Sequence, residues 1–198
     1  MNSGSVRQLR AQLRESVRVA ILEAAEALIA ANGLQGAALA QIAKRAGVAV
    51  GTLYNYFDDR DDLVRGLFEM RRATLRPQLL AAVAAGADED FEPRLVAFMR
   101  EVLAVFEAHR KFIKVAIETE HVRHAPSTTM ADLSTAIGEL VTAGVREGVL
   151  AKDRAPMLGL VVAGGIRALV VRRIADGDPL APRDADLLVK LLLDGARR

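Results

Sequence analysis

The 198-residue sequence contains no cysteine and no tryptophan. The absence of cysteine excludes disulfides, thiol nucleophiles and cysteine-ligated metal or iron–sulfur sites. The longest uncharged run near the C-terminus, residues 155–166, is interrupted by Arg167 and is shorter than the ~20 apolar residues that cross a bilayer. No apolar segment typical of a secretion signal follows Arg7, Arg10 and Arg14. We therefore expect a cytoplasmic protein with no membrane partner.

The net charge is small, at +2, but the charged residues are unevenly distributed along the chain. Residues 1–57 carry six cations and three anions, which gives +3 and leaves −1 for residues 58–198. A basic N-terminal segment followed by a nearly neutral remainder is typical of proteins whose N-terminal end contacts nucleic acid. The hydrophobic content of 52 % excludes disorder as the general state of the chain.

The sequence lacks the alternating pattern of strands, and helical periodicity dominates instead. It predicts an all-α fold of about nine helices, punctuated by helix stops such as Asn32-Gly33. The predicted helices cover about residues 16–31, 39–46, 50–57, a long helix opened by Asp58-Asp59, 91–109, 110–124, 126–147, 156–175 and 184–193.

The most informative stretch is residues 39–57, where two short predicted helices flank Gly47. Glycine tolerates the positive φ of a tight helix–turn–helix, and Ala43 supplies a small residue where the helices cross. The second helix exposes a set of residues suited to a major-groove edge: Val50, Gly51, Thr52, Tyr54 and Asn55. A plain helical hairpin inside a core remains the alternative.

Across residues 18–63 the sequence resembles the TetR family of bacterial transcriptional regulators. The resemblance lies in Arg18, Ile21-Leu22, Ala25, Leu28-Ile29, Gly33, Ile42-Ala43, Ala46-Gly47-Val48, Gly51-Thr52-Leu53-Tyr54, Tyr56-Phe57, Arg60 and Leu63. It implies a three-helix DNA-binding domain over residues 16–60, a flexible basic arm over 1–15, and a ligand-binding and dimerisation domain over 61–198. It also implies a homodimeric repressor that a small effector releases from a palindromic operator.

The resemblance also implies roles for individual residues. Val50, Gly51, Thr52 and Asn55 would face bases, whereas Tyr54 and Tyr56 would donate hydrogen bonds to phosphates. Arg60 would form an ion pair with a phosphate at the start of the fourth helix. The DNA-binding set is completed by two cations, Lys44 and Arg45.

Two residues depart from the family pattern, since Ala38 and Ala49 stand where a hydroxyl often caps a short helix. A lost cap costs ~1 kcal/mol, so we expect a looser DNA-binding domain. Asp59 is expected to cap the fourth helix. Arg7, Arg10, Arg14 and Arg18 would share one face if their segment is helical, so the arm is either a frayed tail or an additional DNA contact.

The C-terminal body is rich in leucine, valine and alanine and has few polar residues that could anchor a ligand. We expect an apolar effector cavity among helices four to seven, with one polar anchor. The expected apolar lining residues are Phe68, Leu75, Phe98, Val102, Phe106, Phe112, Ile113, Ala116, Ile137 and Val141, and the candidate anchors are Arg71, Glu120 and His121.

The last two helices, at about 158–175 and 184–194, are expected to form the homodimer interface because of their broad apolar surface.

Glu118, His121 and His124 have the spacing of metal ligands, but a solvated helix end explains them better, and no metal or cofactor is expected. The sequence carries no nucleophile elbow or phosphate loop, which argues against an enzyme. The alternative function is a ligand- or metal-binding bundle, possibly enzymatic in kind, in which the helix–turn–helix is only scaffold.

Overall fold

The computed structural model describes residues 3–123 and 128–194, with side chains over 5–120 and 129–192. Within these ranges the chain forms α-helices and no strand, which confirms the all-α prediction. The helices are α1 (Ser3–Gly36), α2 (Leu39–Arg45), α3 (Val50–Tyr54), α4 (Arg60–Ala82), α5 (Phe91–Ala108), α6 (Arg110–Arg123), α7 (Thr128–Arg146), α8 (Ala155–Asp176) and α9 (Pro182–Asp194).

The chain divides into two compact units, Met1–Arg71 and Arg72–Arg198. The division falls inside α4, whereas the domain boundary expected from the sequence lies at the first residue of that helix. Helix α4 is therefore continuous through the division, and it retains Pro77 within its length.

Helix α1 begins at Ser3, not near Ser16, so the segment expected to be a flexible arm extends the first helix. Residues 7–14 consist of arginine, glutamine, leucine and alanine, all strong helix formers, which explains the earlier start. Gly33 leaves helical geometry at φ 79°, at the predicted Asn32-Gly33 stop. The helix stop is therefore confirmed, although a short helical turn continues to Gly36.

The core of the first unit brings together apolar residues from α1 to α4. Ile21 and Leu22 of α1 are fully buried, as are Leu53 of α3 and Leu63 of α4. These four side chains fix the short helices against the long ones, since isolated helices of five to seven residues are not stable in water.

The second unit is a helical body in which an ion pair joins the buried Arg94 of α5 to the exposed Glu147, which follows α7. Arg94 is 7 % exposed, donates to both carboxylate oxygens of Glu147 at 2.9 and 2.5 Å, and lies over the Phe91 ring at 5.7 Å. The hydrogen bonds from Arg94 lower the pKa of Glu147 below its ordinary value. The pairing compensates for the burial of a guanidinium inside an apolar environment.

Helix α8 has the length and apolar composition of a membrane span, a property that core helices of non-membrane proteins share. In the described part of the chain it is the one helix that meets this description, with a mean hydropathy of 1.6 over its best window. Only 22 % of that window is buried within the single chain, so α8 has an apolar surface that remains uncovered.

Two glycines of α7 provide a matched test of the packing. A Cβ at Gly144 would lie 2.7 Å from Cε2 of the buried Phe91 ring and 2.8 Å from Cδ1 of Leu150, whereas a Cβ at Gly138 meets nothing within 4 Å. We expect Gly144→Ala to lower the free energy of unfolding by about 1–3 kcal/mol through overpacking. Gly138→Ala should raise it by up to about 1 kcal/mol through helix propensity. Urea unfolding of both variants measures these changes, and equal stabilities would contradict the described packing around Gly144.

Candidate nucleic-acid interface

The turn between α2 and α3 has the geometry of a tight helix–turn–helix. Gly47 adopts φ 73°, and the Val48 N–H donates to the Ala43 carbonyl at 3.0 Å. Ala43 is completely buried where the helices cross, beside Ile42. The predicted roles of the turn glycine and of the small crossing residue are therefore confirmed.

Helix α3 presents most of the predicted contact residues to solvent. Val50 is 41 % and Tyr54 50 % exposed, Gly51 and Asn55 are exposed, and Thr52 is half-buried. A Cβ at Gly51 would meet nothing within 4 Å, so the backbone there is open to a close partner. The face contradicts the alternative of a hairpin buried inside a core, because Leu53 alone of α3 points into the interior.

Lys44 and Arg45 are exposed in the last turn of α2. Cations at that position also interact favourably with the negative end of the helix dipole. Their location is compatible with phosphate contact, although the dipole alone accounts for it equally well.

The N-terminal caps differ between the short helices and α4. Ala38 and Ala49 occupy the caps of α2 and α3 and supply no side-chain hydrogen bond, as expected from their type. In α4, Oδ1 of Asp59 accepts from the Asp62 N–H at 2.7 Å, and Oδ2 of Asp62 accepts from the Asp58 N–H at 3.2 Å. The predicted cap by Asp59 is confirmed, and Asp62 returns a second bond in the manner of a capping box.

Arg60 occupies a different position from the one expected of a phosphate ligand. Its Nη1 donates to the Leu34 carbonyl and its Nη2 to the Ala37 carbonyl, both at 2.9 Å. Those carbonyls lie after the break at Gly33, where helix α1 ends and its last acceptors need partners. The structure therefore revises the expected role: Arg60 joins the start of α4 to the connection between α1 and α2.

A planar guanidinium can donate to two acceptors at once, which a lysine ammonium on its flexible stem does less well. In the structure these donors serve two backbone carbonyls, whereas the resemblance implied a phosphate as the acceptor.

Two arginines of α1 also lie against aromatic rings, which belong to residues that follow α3 in the sequence. The Arg14 guanidinium is 5.8 Å from the centroid of Tyr56, and that of Arg18 is 5.6 Å from the centroid of Phe57. These distances fall within the range of cation–π attraction. The N-terminal part of α1 is thereby attached to the end of the helix–turn–helix.

In the second unit, a cavity of about 630 Å³ lies between α7 and α8. Its volume falls in the range of small-molecule sites, and it contains Ile137 and Val141 of the expected pocket. The lining consists of Ser134, Ile137, Gly138, Val141, Thr142 and Val145 from α7, Lys152 from the preceding turn, and Ala155, Pro156, Gly159, Leu160 and Ala163 from α8.

A second cavity, of about 30 Å³, has room for about one water molecule. Phe106, Ile113, Ala116 and Glu120 line it as expected, together with Arg167. Arg167 donates a hydrogen bond to the Glu120 carboxylate. The expected anchor Glu120 is therefore already paired in this structure.

The remaining residues of the expected pocket do not line either of these two cavities. Four of them are fully buried in the second unit: Leu75, Phe98, Val102 and Phe112. Phe68 and Arg71 belong to the first unit, where Arg71 pairs with Glu26 at 2.5 Å. The side chain of His121 lies outside the described residues.

The contribution of α8 to both cavities was missed, although its small residues offered a signal. Gly159 and Ala163 are one turn apart and leave space beside α7. Among the described residues no group of acidic or histidine side chains could hold a metal ion. The alternative site at Glu118, His121 and His124 depends on histidine side chains outside that part of the chain.

These features define a helix–turn–helix protein with a second, cavity-containing helical unit. Residues 21–67 match the family model of bacterial regulatory proteins of the tetR family. The resemblance found in the sequence is thus supported over these residues, which match a TetR-family N-terminal domain.

The wider similarities agree with this family. Over 105 residues, which are 53 % of each chain, the sequence is 30 % identical to the HTH-type transcriptional regulator YvdT of Bacillus subtilis. It is 28 % identical over 144 residues to the HTH-type transcriptional repressor KstR2 of Rhodococcus jostii, 69 % of each chain. The chain thus matches about half the length of the first of these relatives.

A solved structure shares the fold over nearly the whole chain. The transcriptional regulator FadR of Bacillus subtilis, in complex with stearoyl-CoA, superposes with a TM-score of 0.75. The match covers 90 % of this chain and 99 % of FadR, at 19 % sequence identity. At that identity the likeness shows a common fold.

The revised role of Arg60 predicts an effect in the absence of DNA. Arg60→Ala removes two charge-assisted hydrogen bonds and should lower the free energy of unfolding by about 1.5–3 kcal/mol. Arg60→Lys should recover only part of this loss. Arg65→Ala is the matched control, since Arg65 is an exposed residue of the same helix paired only with Asp62 at 3.1 Å, and such pairs contribute little.

Urea unfolding of the free protein measures these changes. An Arg60→Ala variant as stable as Arg65→Ala would contradict the structural role and return Arg60 to the role of a phosphate ligand.

Proposed function

We propose that this protein is a homodimeric transcriptional regulator that binds operator DNA through α3 and is released by an apolar effector. The observation that carries the proposal is the exposed face of α3 within the residues that match the TetR family model. The relatives YvdT and KstR2 are transcriptional regulators, which favours a regulatory over an enzymatic role.

In this proposal the α3 face divides into two groups. Val50, Gly51, Thr52 and Asn55 face base edges in the major groove, where hydrogen-bonding patterns identify each base pair. Tyr54 contacts phosphate, which fixes the register of the protein on the duplex without reading its sequence.

Phosphate contact from Tyr56, Lys44 and Arg45 completes the interface. Tyr56 is half-buried, so only its outer edge is available to DNA. The alternative of a helix–turn–helix used only as scaffold does not account for α3 presenting this face to solvent.

The proposed homodimer forms through α8 and α9. Both helices expose large apolar side chains that a monomer would leave in water, namely Met157, Leu160, Val161, Leu187 and Leu191. Burying such a patch against a second copy is strongly favourable, and isologous pairing is the commonest symmetry. A two-fold axis would also match a palindromic operator.

The proposed effector is a long acyl chain bearing an anionic head, taken up by the cavity between α7 and α8. The relative FadR binds stearoyl-CoA in its solved structure, and this chain shares the fold. The cavity is lined mainly by apolar side chains, and Lys152 provides a cation for the head group. KstR2 is a repressor, and we propose repression here, relieved by the effector.

Release requires that the effector and the DNA prefer different conformations. Helix α4 carries Arg60 at its start and continues into the second unit, so a shift of this helix would move the α1–α2 connection with it. The coupling must be reciprocal, because the operator then lowers effector affinity by the same factor.

The division of roles on α3 predicts two kinds of variant. Thr52→Ala or Asn55→Ala should change the preferred base, at about 1–3 kcal/mol for a good contact. Tyr54→Phe should weaken binding to all sequences similarly, since it removes only a hydroxyl. Fluorescence anisotropy on the duplex upstream of the protein's own gene, and on its single-base variants, measures both effects. A change of base preference in Tyr54→Phe without general weakening would show that the roles are assigned wrongly.

The dimer predicts a sedimenting mass of about 43 kDa, twice the 21.3 kDa of one chain. Leu160→Glu should give a monomer, because it places a charge in the centre of the proposed interface. Val149→Glu is the control: Val149 is 58 % exposed and lies between α7 and α8 in sequence, outside the interface residues. Analytical ultracentrifugation at micromolar concentration distinguishes the species. A monomeric wild-type chain would refute the interface.

The effector site predicts that stearoyl-CoA lowers operator affinity, whereas coenzyme A alone does not. Gly138→Leu should abolish this response by filling the cavity from a position with open space. Thr135→Leu is the matched control on the exposed side of the same helix. DNA titrations with and without stearoyl-CoA measure the response, which for typical coupling is about 5–150-fold.

Two outcomes of those titrations count against the proposal separately. Unchanged operator affinity of the wild-type protein would exclude an acyl thioester effector. A full response in Gly138→Leu would place the effector outside the α7–α8 cavity.

A further inference from the structure

The N-terminal extension of α1 carries an arginine row that the proposed function does not use. Arg7, Arg10 and Arg14 are spaced three and four residues apart on a continuous helix, which places them on one face. All three are exposed. Residues 3–14 contain no acidic residue, so this segment carries a charge of +3.

The row is anchored at the end nearest the helix–turn–helix. The Arg14 guanidinium lies over the Tyr56 ring at 5.8 Å, and Tyr56 follows the last residue of α3 by two positions. The described side chains provide no ion pair to Arg7 or Arg10, whereas Arg18 has Glu15 at 3.9 Å. The two outer arginines therefore remain available to an anionic partner.

The length of the row suits a stretch of nucleic-acid backbone. Arg14 lies seven positions after Arg7, which corresponds to a rise of ~10 Å along a helix. One strand of B-DNA carries a phosphate per ~3.4 Å of helix axis. The row therefore spans about three phosphates of one strand.

We propose that Arg7, Arg10 and Arg14 form a second DNA-binding element that contacts phosphates flanking the bases read by α3. This inference rests on the proposed function and adds a contact outside the helix–turn–helix. Its contribution is electrostatic and independent of sequence, since guanidinium–phosphate contacts position the protein without selecting bases.

The neighbouring face of the same segment is apolar, with Leu9 66 % and Leu13 64 % exposed. A protein partner would use this face, whereas DNA phosphates would use the arginines. The two alternatives therefore make opposite predictions for variants of the two faces.

The test compares three double variants of the full-length protein by anisotropy titration on its own promoter duplex, over a series of salt concentrations. Each phosphate contact contributes about 0.9 to the slope of log affinity against log salt concentration. Arg7→Gln/Arg10→Gln removes two contacts per protomer, hence four per dimer, and should reduce the slope by about 3.6 at every duplex sequence. Lys111→Gln/Lys114→Gln removes two exposed cations of α6 and should leave the slope unchanged, as should Leu9→Ala/Leu13→Ala.

The outcomes separate this inference from the proposed function. Absence of DNA binding by the wild-type protein would refute the proposed function. Wild-type binding with an unchanged slope in Arg7→Gln/Arg10→Gln would refute the arginine row alone. A loss of affinity in Leu9→Ala/Leu13→Ala but not in the arginine variant would also overturn it, because the segment would then act through its apolar face.

Discussion

The helix–turn–helix unit depends on one polar junction, the contact of Arg60 with the carbonyls of Leu34 and Ala37. Helix α1 leaves regular helical geometry at Gly33, and the two carbonyls lie just after that break. One guanidinium satisfies both of them and joins α4 to the same point. Helices α2 and α3 are too short to be stable alone, so this junction determines where the exposed face of α3 is held.

The same junction gives the proposed regulation a physical route. Helix α4 starts at Arg60 with a cap from Asp59 and continues without interruption to Ala82. In the proposed regulation, this helix joins the two units without an intervening loop. An effector that favours a different position of α4 would therefore change the α1–α2 connection through hydrogen bonds, and the energy available is limited to the difference in its affinity for the two conformations.

The sequence predicted the fold closely because its helices have strong punctuation. Gly33, Gly47 and Gly177 stop or turn the chain at positive φ, and Pro156 stands in the first turn of α8. The cavity between α7 and α8 was predicted only through Ile137 and Val141, because apolar periodicity identifies buried residues without showing which neighbours leave space between them. Phe98 fills the core, whereas Gly159 and Ala163 leave the cavity open. The role of Arg60 was missed for a related reason: its partners are backbone carbonyls, which have no sequence signature.

The central claim is that two α3 helices of a dimer read the major groove, and methylation interference tests it most directly. Methylation of guanine N7 places a methyl group in the major groove, where it blocks a recognition helix. On the duplex upstream of the protein's own gene, the account predicts two clusters of interfering guanines about 10 base pairs apart, the spacing of one helical turn. Binding that no N7 methylation disturbs, or a single cluster without its symmetric partner, would contradict the account.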